Sequence, residues 1–131
     1  MSRENVEIMR ATFEAWNAGD MDAVRELYDP DVSLRMPEGW PEPGPYFGRD
    51  AVIRQLEQIR DAWDSDAAEA ISDFIDAADR VVVRFVLHGQ GRGPEAKLEM
   101  TVVFTVRKGR ILSLEAFWDH AETLETLGLS E

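Results

Sequence analysis

The amino-acid sequence predicts an α+β fold shaped like a cone, in which three N-terminal helices pack on a curved, barrel-like antiparallel sheet and enclose an apolar pocket. Two observations support this class. The first half of the chain carries apolar residues at helical spacing, and the last third consists of β-rich runs at 80–90, 97–107 and 110–118 joined by short turns. Helices followed by a run of strands are typical of α+β domains.

Length and composition indicate a single globular domain over residues 1–131, because 131 residues suffice for one hydrophobic core. The absence of cysteine excludes a disulfide scaffold, a thiol nucleophile and a thiolate zinc site. A net charge of −12 argues against nucleic acid as a partner, since phosphate binding requires a basic face. The chain has no apolar run of membrane-spanning length and does not open with a targeting leader, so we expect a cytoplasmic protein without a membrane partner.

The helices are predicted from apolar spacing and from their caps. The first spans 3–18 and ends at Gly19, and Asp20 caps a second, shorter helix. Asp50 is the predicted cap of the third helix. The three apolar stripes are Val6, Met9, Phe13 and Trp16; Met21, Val24, Leu27 and Tyr28; and Val52, Leu56, Ile59 and Trp63.

A short strand and a rigid loop separate the second helix from the third. Pro30 ends the second helix, and residues 32–36 alternate as a strand. The segment 37–48 holds four prolines and three glycines, which exclude a helix or a central strand. Its aromatic residues either plug the edge of the core or line the mouth of a cavity. They are Trp40, Tyr46 and Phe47.

The segment 67–77 is interpreted as an edge strand, and the three runs after it alternate between two faces. In the first two runs, one face is apolar enough to meet the helices: Val81, Val83, Phe85 and Leu87; then Leu98, Met100, Val102, Phe104 and Val106. Lys108-Gly109 predicts a hairpin turn. Unbroken alternation in the last run separates Ile111, Ser113, Glu115, Phe117 and Asp119 from Leu112, Leu114, Ala116 and Trp118.

The opposite face of the sheet predicts a homodimer. Its apolar residues are Val82, Val86, Val103, Leu112, Leu114 and Trp118. An exposed patch of this kind usually marks an interface, and pairing of identical faces buries it on both subunits at once.

Five segments of the chain carry a family pattern: 13–20 (FEAWNAGD), 46–52 (YFGRDAV), 81–85 (VVVRF), 103–111 (VFTVRKGRI) and 117–124 (FWDHAETL). Together they resemble the SnoaL-like, polyketide cyclase-like branch of the nuclear transport factor 2-like superfamily, over nearly the whole chain. That superfamily includes polyketide cyclases, ketosteroid isomerase, limonene epoxide hydrolase, scytalone dehydratase and pure binding domains. The resemblance therefore implies the fold and a small-molecule pocket, while the activity must be argued from the residues.

Asp119 is the candidate catalytic residue. The resemblance implies this role, because an aspartate near this point acts as acid and base in the polyketide cyclase. The alternative is structural, since Asp119 and Glu122 have the spacing of a capping box for a final helix. The two hypotheses predict opposite shifts of the Asp119 pKa: upward for a carboxyl desolvated in a cavity, and downward for one that accepts backbone N–H groups.

The predicted substrate-binding residues are Phe13, Trp16, Trp63, Phe85, Met100 and Phe117 as walls, with Trp40 and Tyr46 at the mouth. The expected partner is a small hydrophobic ligand, aromatic or polycyclic. One hypothesis is a cofactor-independent isomerase or cyclase that uses carboxylate acid/base chemistry on an apolar carbonyl substrate. The alternatives are a non-catalytic binding or carrier domain and an association domain whose own side chains fill the cavity. Two histidines without metal-ligand spacing predict no metal site, and no cofactor is expected.

Overall fold

The computed structural model describes residues 2–40, 42–63, 67–70, 74–77, 79–89 and 96–128. The helices are α1 (Ser2–Ala18), α2 (Met21–Leu27), α3 (Arg49–Trp63) and α4 (His120–Thr126). The strands are β1 (Tyr28–Arg35), β2 (Tyr46–Phe47), β3 (Ala67–Ala70), β4 (Ile75–Ala77), β5 (Arg80–Gly89), β6 (Ala96–Arg107) and β7 (Arg110–Phe117). The predicted α+β class is confirmed, with α4 following the sheet. None of the described helices combines the length and the apolar character needed to cross a membrane.

The seven strands form one open sheet in the order β2-β1-β7-β6-β5-β3, with β4 also pairing with β5. The sheet is mixed rather than antiparallel throughout, because β1 and β7 run parallel. Parallel neighbours require a long connection, and α3 and most of the sheet lie between these two strands in the chain. The strand predicted over 67–77 is confirmed as two short strands, β3 and β4, which both pair with β5.

The helix ends follow two of the predicted caps and depart from a third. The Asp20 side chain accepts a hydrogen bond from the backbone N of Ala23, 3.1 Å away, as expected of the cap of α2. Helix α3 begins at Arg49, so Asp50 lies within its first turn and does not cap it. The Asp50 carboxylate instead pairs with Arg25 of α2, and this contact holds its pKa below the usual value. The Asp119 cap of α4 is described with the site.

A β-bulge in β7 changes the face to which its side chains belong. The predicted hairpin turn at Lys108-Gly109 leads from β6 into β7 just before the bulge. Both of its residues have positive φ, 52° and 78°, as a two-residue turn of type I′ requires. Val106 pairs with Ile111 but Thr105 pairs with Ser113, which leaves Leu112 as an extra residue. Beyond this bulge Leu114 and Ala116 join the core on the concave face, the face that meets α1–α3. The unbroken alternation predicted for this run is therefore wrong from Leu112 onward.

Helix α4 covers the middle of the outer face of the sheet. Val82, Val103 and Leu124 form a separate small core there, with exposed fractions of 0%, 4% and 2%. The patch expected to be exposed on a monomer is thus largely covered by the same chain, and Leu114 lies on the other face. Val86 is also buried, Leu112 is half-buried, and Trp118 remains 46% exposed. A homodimer stays a prediction, to be checked by light scattering.

Candidate functional site

A cavity of about 100 Å³ lies between α1–α3 and the concave face of the sheet. Its fifteen lining residues are Thr12, Phe13, Trp16, Val24, Tyr28, Leu34, Met36, Leu56, Ile59, Phe85, Met100, Val102, Phe104, Leu114 and Ala116. None of them is charged, and only Thr12, Trp16 and Tyr28 carry polar side-chain atoms. The bulge at Leu112 brings β7 into this lining, because it turns Leu114 and Ala116 toward the helices.

Phe13 of α1 anchors an aromatic cluster at the wall of the cavity. Its ring meets Phe85 of β5 edge-on at a centroid distance of 5.8 Å and Phe74 at 5.9 Å. Edge-to-face pairs at such distances are favourable beyond the area they bury. The guanidinium of Arg10 lies 5.5 Å from the centroid of the Phe74 ring and covers it from the helix side. This cluster fixes the position of α1 over the sheet.

Trp16 joins α1 to α3 through Arg60. The Arg60 guanidinium lies 5.0 Å from the centroid of the Trp16 indole, and its Nη1 donates to the Trp16 carbonyl oxygen at 2.6 Å. The indole Nε1–H is buried and finds no hydrogen-bond partner among the described residues. Thr12, one turn earlier, donates its hydroxyl hydrogen to the Ile8 carbonyl oxygen at 2.8 Å. Trp16 therefore contributes an unpaired donor to an otherwise apolar wall.

Tyr28 is one of the eleven lining residues that were not predicted from the sequence, and it is the one with a phenol. Helical spacing places it on the apolar stripe of the second helix, but it follows α2 directly and begins β1, with only 2% of its surface exposed. Its hydroxyl makes no hydrogen bond with any residue in the described part of the chain. Burial raises the pKa of this phenol. The sequence contains a signal for this position. Pro30 disfavours the helical conformation of Asp29, the residue before it, so the second helix must end near Tyr28.

The structure brings together part of the predicted set of binding residues. Phe13, Trp16, Phe85 and Met100 all line the cavity. Trp40 and Tyr46 are outside the lining and pack partly buried against the edge of the core. Phe117 lies on the outer face and is 38% exposed, because the bulge reverses its orientation. The Trp63 side chain lies outside the described part of the structure.

Trp40 and Tyr46 have defined contacts of their own in the 37–48 loop. The Trp40 ring lies 6.1 Å from that of Trp118, whose Nε1 donates to the Glu38 carbonyl oxygen at 2.8 Å. The Tyr46 hydroxyl donates to the Glu42 carbonyl oxygen at 2.8 Å. For Trp40 and Tyr46 these positions favour the alternative in which the aromatic residues close the core edge, whereas Phe47 is 72% exposed and does not close it.

Asp119 caps α4 and is not part of the cavity lining. Its Oδ1 accepts a hydrogen bond from the backbone N of Glu122 at 2.9 Å, and its side chain is exposed. The adjacent His120 is buried on the outer face, where its Nδ1 lies 3.0 Å from Thr101 Oγ1. These positions correct the expectation that Asp119 faces the cavity, since the bulge turns Phe117 and the end of β7 away from it.

In the part of the chain that the structure describes, the cavity wall holds no carboxylate and no imidazole. Among the described residues, no three His, Asp or Glu side chains come together as a metal site. One carboxylate on the concave side of the sheet is notable. Asp76 of β4 lies opposite Val81, a core residue, and its Oδ1 is buried without a partner in the described part of the chain.

Comparison with known proteins identifies the family. The model of the SnoaL-like domain matches residues 9–114, so the chain belongs to the SnoaL-like family, as predicted. The uncharacterized protein Rv0034 of Mycobacterium tuberculosis is 25% identical over 115 residues, which cover 87% of this chain and 88% of that protein.

Solved structures of other proteins share the fold. Bal32a, from a soil-derived mobile gene cassette, superposes with a TM-score of 0.78 at 23% identity and 88% coverage of both chains. A protein from Sinorhizobium meliloti provisionally called a polyketide cyclase has a TM-score of 0.70 at 26% identity, with 84% of this chain and 93% of that chain covered.

Proposed function

We propose that the protein binds a small, uncharged and mostly apolar molecule in the cavity between α1–α3 and the sheet. The observation that carries the proposal is the lining, in which none of the fifteen residues is charged and three have polar side-chain atoms. Apolar walls with a few polar groups are the usual form of a ligand site. Membership of a family whose solved relatives include a provisionally named polyketide cyclase supports a small-molecule ligand.

The size of the cavity limits the ligand. Its volume is about 100 Å³. This is about two-thirds of the roughly 150 Å³ of an engineered cavity that binds benzene, so the ligand is of single-ring size at most. The proposed ligand is therefore smaller than the polycyclic molecule that the aromatic residues suggested.

Binding without catalysis fits the cavity better than carboxylate chemistry does. Abstraction of a proton next to a carbonyl requires a base within hydrogen-bond reach of that proton. No Asp, Glu or His is among the fifteen described lining residues, and the Asp119 carboxylate accepts a backbone N–H at the start of α4. A carrier or sensor of a small molecule requires only the cavity itself.

The experiment is a titration with single-ring probes, benzene and toluene, followed by thermal unfolding and by tryptophan fluorescence. A probe at one hundred times its Kd is expected to stabilise the protein by about 2.7 kcal/mol. Ala116→Leu fills the cavity and should abolish this stabilisation, because Ala116 lines it. Ala121→Leu is the matched control, since Ala121 is exposed on α4. Equal responses of the two variants, or no response of the wild-type protein, would contradict the proposal.

A second candidate function, a cofactor-independent isomerase or cyclase, is favoured by Asp76. Its unpaired, buried Oδ1 on the concave side is the kind of carboxylate that such chemistry needs, although the residue is outside the cavity lining. The test is deuterium exchange next to the carbonyl of cyclohexanone in D₂O, followed by NMR. Exchange that is faster than in buffer, lost in Asp76→Asn and retained in Asp119→Asn supports the enzyme. Exchange at the buffer rate leaves binding as the function.

A further inference from the structure

The polar groups of Tyr28 are all paired except its hydroxyl. The backbone N–H of Tyr28 donates to the Arg25 carbonyl oxygen, and its carbonyl oxygen accepts from Arg49 Nη1 at 3.3 Å. The hydroxyl makes no hydrogen bond in the described part of the chain, although the residue is 2% exposed and lines the cavity. A buried hydroxyl is nearly always hydrogen-bonded, since leaving it unpaired is costly. Because Tyr28 lines the cavity, a ligand bound there can supply the missing partner.

The other tyrosine of the chain shows the contrast. The Tyr46 hydroxyl donates to the Glu42 carbonyl oxygen at 2.8 Å and so is satisfied within its own loop. The Thr12 hydroxyl, also on the cavity wall, donates to the Ile8 carbonyl oxygen of the preceding turn. The Tyr28 hydroxyl therefore differs from that of Thr12, the other hydroxyl on the cavity wall, because its hydrogen is not donated to any described residue.

The unpaired groups on the wall select an acceptor. Burial raises the pKa of the Tyr28 phenol, so the hydroxyl keeps its proton and donates it at physiological pH. The second unpaired group, Trp16 Nε1–H, can only donate. Since none of the fifteen described lining residues is charged, a carboxylate or an ammonium group would find no counter-charge among them. The complementary ligand is neutral and carries an oxygen acceptor.

We propose that the Tyr28 hydroxyl donates a hydrogen bond to the carbonyl oxygen of an uncharged, single-ring ligand, such as a cyclic ketone or an aromatic aldehyde. This assignment rests on the proposed function, because it names the ligand class of the same cavity. It makes Tyr28 the residue that selects a carbonyl compound over a hydrocarbon of the same shape.

The size of this selection follows from the strength of one buried hydrogen bond. A hydrocarbon in the cavity leaves the phenol unpaired, whereas a ketone satisfies it at the cost of dehydrating its own oxygen. The net gain of such an exchange corresponds to about tenfold in Kd. Cyclohexanone and methylenecyclohexane are a suitable pair of probes, since they have nearly the same shape and differ in the acceptor.

The experiment measures Kd for both probes by NMR titration of the wild-type protein, Tyr28→Phe and Tyr46→Phe. The wild-type protein is expected to prefer cyclohexanone about tenfold. Tyr28→Phe should lose this preference through weaker ketone binding alone, with Kd for methylenecyclohexane within about twofold of the wild-type value. Tyr46→Phe removes a phenol that is satisfied outside the cavity, so it should keep the preference.

The possible failures have different meanings. If the wild-type protein binds both probes equally, the carbonyl assignment is wrong while the proposed function stands; a tightly held water on the phenol would produce this result. If it binds neither probe, the proposed function fails and this inference fails with it. A preference that survives in Tyr28→Phe assigns selection to another group and overturns the proposal.

A measurement on the wild-type protein covers the case in which Tyr28→Phe does not fold. The infrared carbonyl stretch of bound cyclohexanone is expected at lower frequency than that of cyclohexanone in hexane, because a hydrogen bond weakens the C=O bond. An unshifted stretch in the bound state would overturn the proposal without any variant.

Discussion

The concave and outer faces of the sheet are built from alternate residues of the same strands, yet they are covered in different ways. Three helices cover the concave face and leave a cavity with uncharged walls. One short helix covers the middle of the outer face, where Phe117 and the Arg84–Glu99 ion pair remain accessible. The composition of the cavity wall therefore depends on strand register: a single extra residue at Leu112 decides which side chains of β7 reach the cavity.

The strongest test of the two faces compares two phenylalanines on neighbouring strands. Phe104 lines the cavity and is 4% exposed, whereas Phe117 lies on the outer face and is 38% exposed. Phe104→Ala is expected to lower the free energy of unfolding by about 3–5 kcal/mol. Phe117→Ala should lower it by less than about 1 kcal/mol, because less packing is lost. Urea unfolding measures both, and equal losses would contradict the bulge.

Helix α4 offers a test of how independent the two faces are. Leu124 is 2% exposed and packs on Val82 and Val103. We expect Leu124→Ala to cost about 2–4 kcal/mol in urea unfolding. The half-buried Leu127 provides the control, with a smaller cost for Leu127→Ala. Since neither residue lines the cavity, probe affinity should be unchanged in both variants wherever they are folded. A large loss of affinity would show that the two faces are coupled.

The role of Asp119 can be separated from catalysis by two substitutions. Asp119→Ala removes the acceptor for the Glu122 N–H and should cost about 1 kcal/mol. Asp119→Asn keeps a side-chain oxygen at the cap, so we expect a loss of a few tenths of a kcal/mol. Chemical denaturation resolves the two. If Asp119→Asn lowers the free energy of unfolding as much as Asp119→Ala does, the charge of the carboxylate contributes to stability in addition to its hydrogen bond at the cap.

The smallest effect concerns pH and the concave face. Burial raises the pKa of Tyr28 above its usual value of about 10. Above about pH 10 the unfolded chain therefore holds fewer protons at this residue than the native protein, and stability falls as pH rises. Below about pH 10 both states hold the proton and the residue adds no pH dependence.

Tyr28→Phe lacks this group, so the unfolding free energy of the wild-type protein should fall relative to that of the variant between about pH 9 and about pH 11. Urea denaturation at both pH values measures the difference, and the subtraction removes the contribution of the other titrating groups. If the difference in unfolding free energy is the same at both pH values, the pKa of Tyr28 is not raised by folding, and its phenol is in contact with solvent.

The two faces also differ in how far the sequence predicts them. The concave faces of β5 and β6 follow from simple alternation, because these strands pair without a shift in register from Arg80 to Gly89. Alternation fails in β7 because of the bulge, which no special residue marks in the sequence. The pair of adjacent apolar residues Ile111 and Leu112 is the sequence feature that accompanies it. Phe117 was placed in the cavity for that reason alone.

The candidate site was predicted in part for a related reason. Phe13 and Trp16 lie on the strongest helical stripe, and a stripe must face the core, so their positions follow from spacing. Tyr28 sits at the boundary between α2 and β1, where helical spacing and strand alternation both fit. Its unpaired hydroxyl depends on what packs around it, which spacing does not determine. Asp119 fits a cap and an acid/base equally well until the face of β7 is known.

The bond between Trp118 and the 37–48 loop has a kinetic consequence. The Trp118 Nε1–H donates to the carbonyl oxygen of Glu38, a residue 80 positions earlier in the chain. A contact of such separation requires the rest of the sheet to be in place before it closes, so we expect it to form after the rate-limiting step of folding. Trp118→Phe should then leave the folding rate unchanged and accelerate unfolding, as stopped-flow fluorescence can show. The loop and the end of the last strand would be the first part of the native protein to separate.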